Sequence, residues 1–279
     1  MPHPRRFLGA IIPVIAVCLW LVPGLVRADY RFGFQRPVTD AAEKLLELHN
    51  LILLACLGVF VIVFGVVLYS VIAHRKGRGY KAARFHDNLV LEIAWAAIPF
   101  VIVIGMAVPS TMTLLELSDA GGPDMTVKIT AYQWKWKYEY PEYDIGFFSS
   151  LATPRAQLDN QAAKGAHYLL EVDNAVVLPV DRKIRIVLTA ADVIHSWWVP
   201  ALGVKQDAVP GFIVETRVRI DEPGTYRGQC AELCGLGHGY MPIVVEAVSQ
   251  EDFGKWVGQR KSKPAVAPPV ATAGSRGGP

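Results

Sequence analysis

CAELCGLGHGYM, at residues 230–241, is the most informative segment of this 279-residue chain. It carries two cysteines, a histidine and a methionine, and a second histidine, His195, stands upstream in the segment VIHSWW. Two thiols, two imidazoles and a thioether are soft and borderline ligands, which favour copper, zinc or iron–sulfur over a hard cation held by oxygen. The segment therefore predicts a metal site.

The spacing of the ligands indicates how many metal ions are bound. A mononuclear blue-copper centre has a characteristic ligand order. One Cys and one His lie on a single loop, a Met follows closely, and a second His lies far away in the sequence. This loop has a second cysteine, Cys234, four residues after Cys230, and two thiolates on one tight loop can bridge two metal ions. Each ion would then take one histidine, His195 or His238, with Met241 and a loop carbonyl as weak axial donors. The pattern favours a dinuclear copper–thiolate centre.

Two other interpretations use the same residues. A Cys2His2 zinc site has the same four strong ligands, although structural zinc ligands usually come in closely spaced pairs, and here His195 is isolated and Met241 has no role. A disulfide between Cys230 and Cys234 suits an oxidising compartment. It would close a very short loop of little entropic value, however, and leave both histidines unexplained. Both alternatives stay open at this point.

Hydropathy divides residues 1–118 into a targeting segment and a membrane hairpin. Two runs without a charged residue, 51–73 and 93–115, are each long enough to cross a bilayer, which takes about 20 residues. Five Lys or Arg residues lie between positions 74 and 84, and the positive-inside rule places this loop in the cytoplasm and both ends of the hairpin outside. Residues 1–28 combine early arginines, an apolar run and a Val-Arg-Ala sequence, which predicts a cleaved secretory signal peptide. An uncleaved first membrane helix is the alternative.

Residues 119–258 differ from the hairpin, since short β-rich runs alternate with Gly and Pro. Regular short strands with such turns indicate a sandwich or barrel. The chain ends at 259–279 in a segment rich in Pro, Ala and Gly, which predicts an extended or disordered tail. The predicted strands are Met125–Ala131, Gln133–Tyr140, Tyr168–Val172, Lys183–Thr189, Phe212–Ile220, Gly224–Arg227 and Pro242–Ala247.

Several motifs carry a resemblance to one family. The chain resembles subunit II of the haem–copper cytochrome c oxidases in five segments. These are HSW at 195–197, CAELCGxxHxxMP at 230–242, LEIAW at 91–95, QWKW at 133–136 and VKQDAVPG at 204–211. The copper motif is highly specific, the others support it, and the resemblance covers nearly the whole chain. It implies a two-helix transmembrane hairpin followed by an all-β, cupredoxin-like Greek-key barrel. The hairpin would lie in a bacterial inner membrane, with the C-terminal domain in the periplasm.

The resemblance also implies roles for individual residues. The Glu232 side chain would help hold a magnesium ion at the boundary with subunit I. Trp134 would receive electrons from cytochrome c, and Glu92 would lie near the entrance of a proton channel in subunit I. A solvated interfacial carboxylate is the alternative for Glu92, and Trp136 and Tyr138, on the same strand face as Trp134, are expected to pack in the core. The family's dinuclear copper centre, CuA, would be held by His195, Cys230, Cys234, His238, Met241 and the backbone carbonyl of Glu232.

The function implied by the resemblance is that of a subunit of a proton-pumping cytochrome c oxidase. Electrons would pass from cytochrome c through two copper ions to haem in subunit I, which also holds CuB and reduces oxygen to water. Subunit III is a further expected partner, and no nucleic acid is expected. No Cys-x-x-Cys-His haem-attachment motif occurs, so the donor is expected to be a separate protein. A membrane-tethered copper-binding or copper-delivery cupredoxin is the alternative, and the intact ligand set argues against a quinol oxidase subunit.

Surface charge gives a weaker prediction about the electron donor. The formal net charge is +3, but much of the positive charge lies in the signal, the cytoplasmic loop and the tail. A local acidic face would steer a basic partner such as cytochrome c, although Lys135 and Lys137 oppose it. Phe212 stands where many relatives have Arg, so a contact with subunit I is expected to differ. The carboxylates expected on this face are Glu139, Glu142, Asp144, Glu171, Asp173 and Asp192.

Overall fold

Two long helices open the part of the chain that the structure, a computed structural model, describes. Helix α1 spans Asp40–Ala73 and helix α2 spans Leu89–Ser118, and both are long and apolar enough to cross a membrane. The predicted hairpin is thereby confirmed. The predicted signal peptide and most of the C-terminal tail lie outside the described residues. Those residues are 33–75, 77, 79, 81, 87–118 and 122–262.

Both helices begin before the apolar runs that predicted them, because polar caps start them earlier. Thr39 Oγ1 accepts a hydrogen bond from the Ala42 N–H at 2.9 Å, and Asn88 Oδ1 accepts one from the Leu91 N–H at 3.2 Å. Such caps satisfy N–H groups that have no partner within the first helical turn. The first turn of α1 therefore lies outside the apolar run, and Ala42 is buried there.

The start of α1 is tied to the β-domain through the turn Pro200–Leu202. The Thr39 hydroxyl donates to the carbonyl of Leu202 at 3.0 Å, and Thr39 itself is buried. Gly203, which follows the turn, has a φ of 66°, and a Cβ at this position would stand 2.9 Å from the backbone of Ala42. Only glycine fits there, since both the backbone conformation and the close approach of α1 exclude a side chain.

Ten strands make up the described part of the β-domain. They form two five-stranded sheets, with the orders β3-β2-β1-β5-β8 and β4-β10-β9-β6-β7. The pairs β1–β5 and β4–β10 are parallel, and the other pairs are antiparallel. This is the cupredoxin-like arrangement that was expected. The strands are β1 Met125–Tyr132, β2 Lys135–Tyr140, β3 Ile145–Ser149, β4 Val176–Pro179, β5 Ile184–Ala190, β6 His195–Val199, β7 Val204–Ala208, β8 Val214–Val218, β9 Gly224–Cys230 and β10 Pro242–Val248.

Inward-facing side chains of both sheets form one core. In β5 the residues Ile184, Ile186 and Leu188 are buried while their neighbours are partly exposed, which is the two-residue period of a strand with one face inside. Trp136 and Tyr138 of β2 are fully buried, as expected for core packing. The core therefore takes its shape from alternating residues that sequence periodicity could identify.

One predicted strand is wrong and four were missed. Tyr168–Val172 is not a strand, because Leu169 has a left-handed φ of 64° that interrupts an extended backbone, and an isolated bridge joins Val172 to Leu151. The missed strands are β3, β4, β6 and β7, which contain only four or five residues each. Runs of that length are too short for the two-residue period to stand out.

A C-terminal helix was also missed. After the four-residue helix α3, Arg155–Leu158, the chain forms helix α4, Gln250–Lys261, so residues 259–261, which were expected to belong to the tail, are helical. Phe253 is buried, and the Arg260 guanidinium lies 4.5 Å from the ring centroid of Phe147. The helix escaped prediction because it is mostly polar and buries a single narrow stripe.

Candidate metal centre

Adjacent strands deliver the candidate ligands to one end of the β-domain. His195 is the first residue of β6 and Cys230 is the last residue of β9, and these two strands pair with Trp197 opposite Cys230. The loop 231–241 then returns to β10, and the Cys230 N–H donates to the carbonyl of Met241 at 3.0 Å. Strand pairing therefore brings the distant histidine to the base of the cysteine loop.

Two free thiols lie at the centre of the site. The sulfurs of Cys230 and Cys234 are 3.8 Å apart, far beyond the about 2.05 Å of a disulfide. The structure thus gives no support to the disulfide interpretation. Metal–thiolate bonds are about 2.3 Å long, so two sulfurs on one tetrahedral ion stand roughly 3.8 Å apart. The thiol pair already has the spacing that a shared metal ion needs.

Each histidine lies beside a different sulfur. His195 Nδ1 is 3.9 Å from Cys230 Sγ, and His238 Nδ1 is 3.6 Å from Cys234 Sγ. Among the described residues, the ligand atoms of His195, Cys230 and Cys234 all lie within 4.8 Å of one another, and His238 stands outside this group. A single tetrahedral ion needs four donors at similar mutual distances. One imidazole therefore stands beside each thiol, and the four donors do not form the single close group that one tetrahedral ion would need.

One of the two weaker donors lies close to a sulfur, and the other is buried at the end of the loop. The carbonyl oxygen of Glu232 is 3.3 Å from Cys230 Sγ, and Met241, at the end of the loop, is 1% exposed. The Glu232 residue as a whole is exposed, so its carboxylate is accessible to a partner. The structure brings all six residues expected at the metal site together in and beside one loop.

The surroundings move the pKa values of the two thiols in opposite directions. Burial raises the pKa of Cys230, but hydrogen bonds with His195 and with the backbone at Ser196 and Glu232 outweigh burial and lower it to about 7. Burial, followed by the nearby charge of the Cys230 thiolate, raises the pKa of Cys234 to about 12. The second thiol can ionise at neutral pH only when a cation offsets the repulsion, and a bound metal ion is such a cation. The charge pattern of the pair therefore fits a metal site.

Trp134 lies over the ligand loop. Its Nε1–H donates to the carbonyl of Cys234 at 3.1 Å, and the residue is 37% exposed. A Cβ at Gly237 would stand 2.3 Å from the indole ring, which is closer than real atoms approach. The absence of a side chain at Gly237 is what allows the indole to cover the loop.

The sequence placed Trp134 on the wrong element. It was expected on one strand face with Trp136 and Tyr138, but β2 begins only at Lys135. Trp134 belongs to the turn before it, where its peptide bond with Gln133 is cis. The turn separates the partly exposed tryptophan from the two buried aromatic residues.

Asp192, expected on a docking surface, contacts one of the predicted metal ligands. Its Oδ1 lies 2.9 Å from His195 Nε2, and its Oδ2 accepts a hydrogen bond from the Gln133 N–H at 2.7 Å. Burial raises the pKa of Asp192, but its hydrogen bonds with His195 and with backbone N–H groups lower it overall. Burial lowers the pKa of His195, while hydrogen bonds to Cys230 and Asp192 raise it overall. The only sequence signal for this contact was the three-residue spacing of Asp192 and His195.

Four of the five remaining acidic candidates have partners within the domain. Glu139 forms ion pairs with Lys137 at 2.8 Å and Lys128 at 3.3 Å, which together outweigh burial and lower its pKa. Glu171 pairs with Arg227 at 2.6 Å. Glu142 accepts a hydrogen bond from the backbone N–H of Thr126, and Asp173 accepts one from the backbone N–H of Ser150. Asp144 lies in a turn, with a left-handed φ of 55°.

These carboxylates are also spread along the domain. Glu142 and Asp144 follow the end of β2 that lies away from Trp134, and a six-residue strand is about 20 Å long. The structure therefore places Glu142 and Asp144 away from Trp134, while Asp192 contacts the neighbouring Gln133. Glu92, the remaining predicted residue, lies in the first turn of α2 and is exposed.

Comparisons with known proteins agree with this architecture. Residues 27–113 match the family described as cytochrome C oxidase subunit II, transmembrane domain, and residues 125–248 match the periplasmic domain of the same subunit. The chain is 40% identical over 228 residues to the probable cytochrome c oxidase subunit 2 of Rickettsia prowazekii (strain Madrid E), which covers 82% of this chain and 72% of that protein.

Two further relatives extend the comparison. Cytochrome c oxidase subunit 2 of Cereibacter sphaeroides is 38% identical over 242 residues, covering 82% of this chain and 80% of its own. The crystal structure of the periplasmic domain of subunit II of cytochrome oxidase (CoxB) of Bradyrhizobium japonicum is 40% identical. It matches with a TM-score of 0.45 and covers 50% of this chain and 95% of that one. This chain belongs to the cytochrome c oxidase subunit II family and is a subunit of an oxidase complex.

Proposed function

We propose that this chain is the electron-accepting subunit of a proton-pumping cytochrome c oxidase and that its β-domain holds two copper ions. The observation that supports two ions is the placement of one imidazole beside each thiol, His195 by Cys230 and His238 by Cys234. When bound, a thiolate-bridged copper pair supplies a one-electron acceptor. The proposed ligands are His195, Cys230, Cys234 and His238, with Met241 and the Glu232 carbonyl as weak axial donors.

Trp134 is the proposed residue through which electrons from cytochrome c reach the centre. Its partly exposed ring is accessible to a partner protein, and its Nε1–H is bonded to the carbonyl of Cys234, a proposed ligand. One hydrogen bond and the covalent structure of Cys234 therefore connect the surface to the site. Trp136 is also near the site, with its ring centroid 6.2 Å from that of His195, but it is fully buried and no donor can touch it.

An apolar rim around the ligand loop supports contact with other proteins. Leu233 and Leu236 in the loop are 77% and 96% exposed, and Phe212 and Ile213 are 67% and 73% exposed. The latter two lie at the same end of the domain, because they follow β7, whose last residue pairs with His195. Exposed apolar patches on soluble domains commonly mark interaction sites. The rim is where we propose that the chain meets its neighbours.

Subunit I is the proposed neighbour on part of this rim, and subunit III is a further proposed partner. The exposed Glu232 carboxylate would supply a ligand for a magnesium ion at the boundary with subunit I, since carboxylate oxygen suits that cation. Glu92 lies at the end of α2 that the basic loop places in the cytoplasm, which supports a role at the entrance of a proton channel. The same charge asymmetry supports a bacterial inner membrane with the β-domain in the periplasm, reached through a signal peptide at 1–28.

Docking of cytochrome c is proposed at Trp134, mainly through apolar contact. Lys135 lies beside this tryptophan in sequence, with its Nζ 4.6 Å from the ring centroid of Phe148, and Lys137 is on the same strand face. Two of the acidic residues expected to attract a basic donor, Glu139 and Glu171, form ion pairs within the chain. Charge complementarity at this surface is therefore weaker than the sequence suggested.

Trp134→Phe in the assembled oxidase tests the proposed route. The rate of copper reduction by reduced cytochrome c should fall about tenfold or more, which corresponds to roughly 1.4 kcal/mol in the barrier, while copper content and the visible spectrum stay unchanged. Trp256→Phe, on α4, is the matched control and should leave the rate as it is. An unchanged rate in Trp134→Phe would refute the route. Copper transfer to a metal-free acceptor protein, without electron flow to haem, would favour the copper-delivery alternative.

A further inference from the structure

Two polar residues outside the proposed ligand set connect the histidine strand to the cysteine loop. Asp192 accepts hydrogen bonds from the N–H groups of Val193 and Gln133, both at 2.7 Å, and its Oδ1 lies 2.9 Å from His195 Nε2, close enough to accept a third. The Gln133 side chain donates through Nε2 to the carbonyl of Cys234 at 2.8 Å. A continuous chain of hydrogen bonds therefore runs from one proposed ligand, through Asp192 and Gln133, to another.

The contact with Asp192 determines which nitrogen of His195 carries the hydrogen. An ionised carboxylate can only accept, so the ring nitrogen that faces it must donate. With the hydrogen on Nε2, the lone pair is left on Nδ1, the nitrogen that faces Cys230 Sγ at 3.9 Å. Asp192 thus selects the tautomer of His195 that can bind a metal ion beside the thiols.

Gln133 connects this arrangement to the loop that carries the cysteines. Its backbone N–H holds Asp192 and its side chain holds the Cys234 carbonyl, so one residue fixes the separation of two segments. The space that it occupies is kept free by Gly235, where φ is +109° and a Cβ would lie 3.1 Å from Gln133 Nε2. A side chain at Gly235 would be strained and would press on the amide.

We infer that Asp192 and Gln133 are positioning residues that hold His195 in register with the two cysteines. The need for them follows from the chain order, because His195 comes from a strand 35 residues before Cys230 while the cysteines share one loop. Metal-binding histidines usually donate their second N–H to a carboxylate or carbonyl, and loss of that partner typically costs about 10- to 100-fold in metal affinity. The effect on copper rests on the proposed function, but the effect on the His195 tautomer does not.

The metal-free, full-length chain in detergent micelles gives the first test. With histidines labelled by ¹⁵N and at an alkaline pH where imidazoles are neutral, His195 should show one slowly exchanging Nε2–H proton, assigned from its loss in His195→Gln. Asp192→Ala, which leaves no acceptor, should remove the slow exchange, whereas Asp192→Asn should retain part of it if its remaining oxygen faces the ring. Asp124→Asn is the matched control, because that carboxylate accepts the backbone N–H of Lys183 at 2.8 Å and touches no proposed ligand. A His195 Nε2–H that exchanges equally slowly in Asp192→Ala would overturn the inference.

The copper-loaded full-length chain gives the second test. Asp192→Asn should release copper to a strong chelator about 10-fold faster or more, with a changed electron paramagnetic resonance spectrum, and Asp124→Asn should match the wild type. Gln133→Ala should act in the same direction. Because the two residues act as one unit, the double variant should release copper less quickly than the product of the single effects predicts. If all four variants release copper at the wild-type rate and show the wild-type spectrum, the positioning role is overturned. This outcome does not depend on whether the wild-type chain accepts electrons from cytochrome c.

Discussion

The close contact between Gly237 and Trp134 leads to a quantitative prediction for Gly237→Ala. The new Cβ would stand 2.3 Å from one ring atom of Trp134 and 2.5 and 2.7 Å from two others, whereas carbon atoms in contact are about 3.5–4.0 Å apart. The indole would have to move by at least about 1.2 Å to reach that separation. Such a shift would break its hydrogen bond to the Cys234 carbonyl, now 3.1 Å long.

The expected cost has two parts. Overpacking a tight contact costs about 1–3 kcal/mol, and a lost hydrogen bond costs about 1 kcal/mol. Since the indole is partly exposed and can swing outward, we expect the lower half of the sum, about 2–3 kcal/mol. For a folding unit of this size, roughly 3 °C per kcal/mol gives a fall of about 6–9 °C in the melting temperature of the β-domain.

Near-ultraviolet circular dichroism of the metal-free chain would measure this change during heating. Gly239→Ala is the control in the same loop, because a Cβ there meets nothing within 4 Å, and it should shift melting by less than about 2 °C. In a Trp134→Ala background the penalty of Gly237→Ala should disappear, since the ring that causes it is gone. A penalty that persists in that background would refute the reasoning.

Three other predictions follow from contacts elsewhere in the β-domain. Gly228→Ala should prevent accumulation of folded protein, as judged by membrane-inserted yield, because its Cβ would overlap the Trp198 carbonyl; normal yield would contradict this. Burial raises the pKa of Tyr138 and Tyr140. Above about pH 10, therefore, the unfolded chain loses these two phenolic protons while the folded chain keeps them. The free energy of unfolding should then fall by up to about 1.4 kcal/mol per pH unit for each tyrosine. Tyr140→Phe should lower the slope measured by urea unfolding between about pH 10 and pH 11 by up to about 1.4 kcal/mol per pH unit, and an unchanged slope would contradict burial. Lys135→Glu should raise the association rate with a basic cytochrome c about threefold at low ionic strength, because it replaces a repulsive charge by an attractive one. Salt screens this effect, so the two rates should be equal at about 0.5 M salt. A rate equal to wild type at low salt would show that this lysine lies away from the docking surface.

Much of the metal site could be predicted from sequence because its ligands are chemically distinctive and close together. Cys230, Cys234, His238 and Met241 lie on one loop, and the chemistry of thiols and imidazoles limits the choice of metal. His195 could be added only through its motif, since nothing local in the sequence shows that β6 pairs with β9. The hairpin was equally clear, because apolar runs of this length without a charge are typical of membrane-spanning helices.

The parts that sequence missed depend on contacts between distant segments. Asp192 reads as a surface carboxylate until the fold places it against His195 and Gln133. Trp134 was expected on a strand because alternating aromatic residues follow it, and the turn that lifts it over the loop leaves no pattern of its own. The tie between Thr39 and Leu202 likewise joins residues 163 positions apart, so periodicity could not reveal it.

The central claim, a copper pair bridged by Cys230 and Cys234, is tested most directly by electron paramagnetic resonance of the copper-loaded, full-length chain, with copper quantified in the same sample. We predict two coppers per chain, a purple colour and a seven-line hyperfine pattern, because one unpaired electron would be shared equally by two copper nuclei. A four-line pattern with one copper per chain would contradict the claim. A colourless, silent sample that retains zinc in preference to copper would contradict it as well and would remove the redox role from this site.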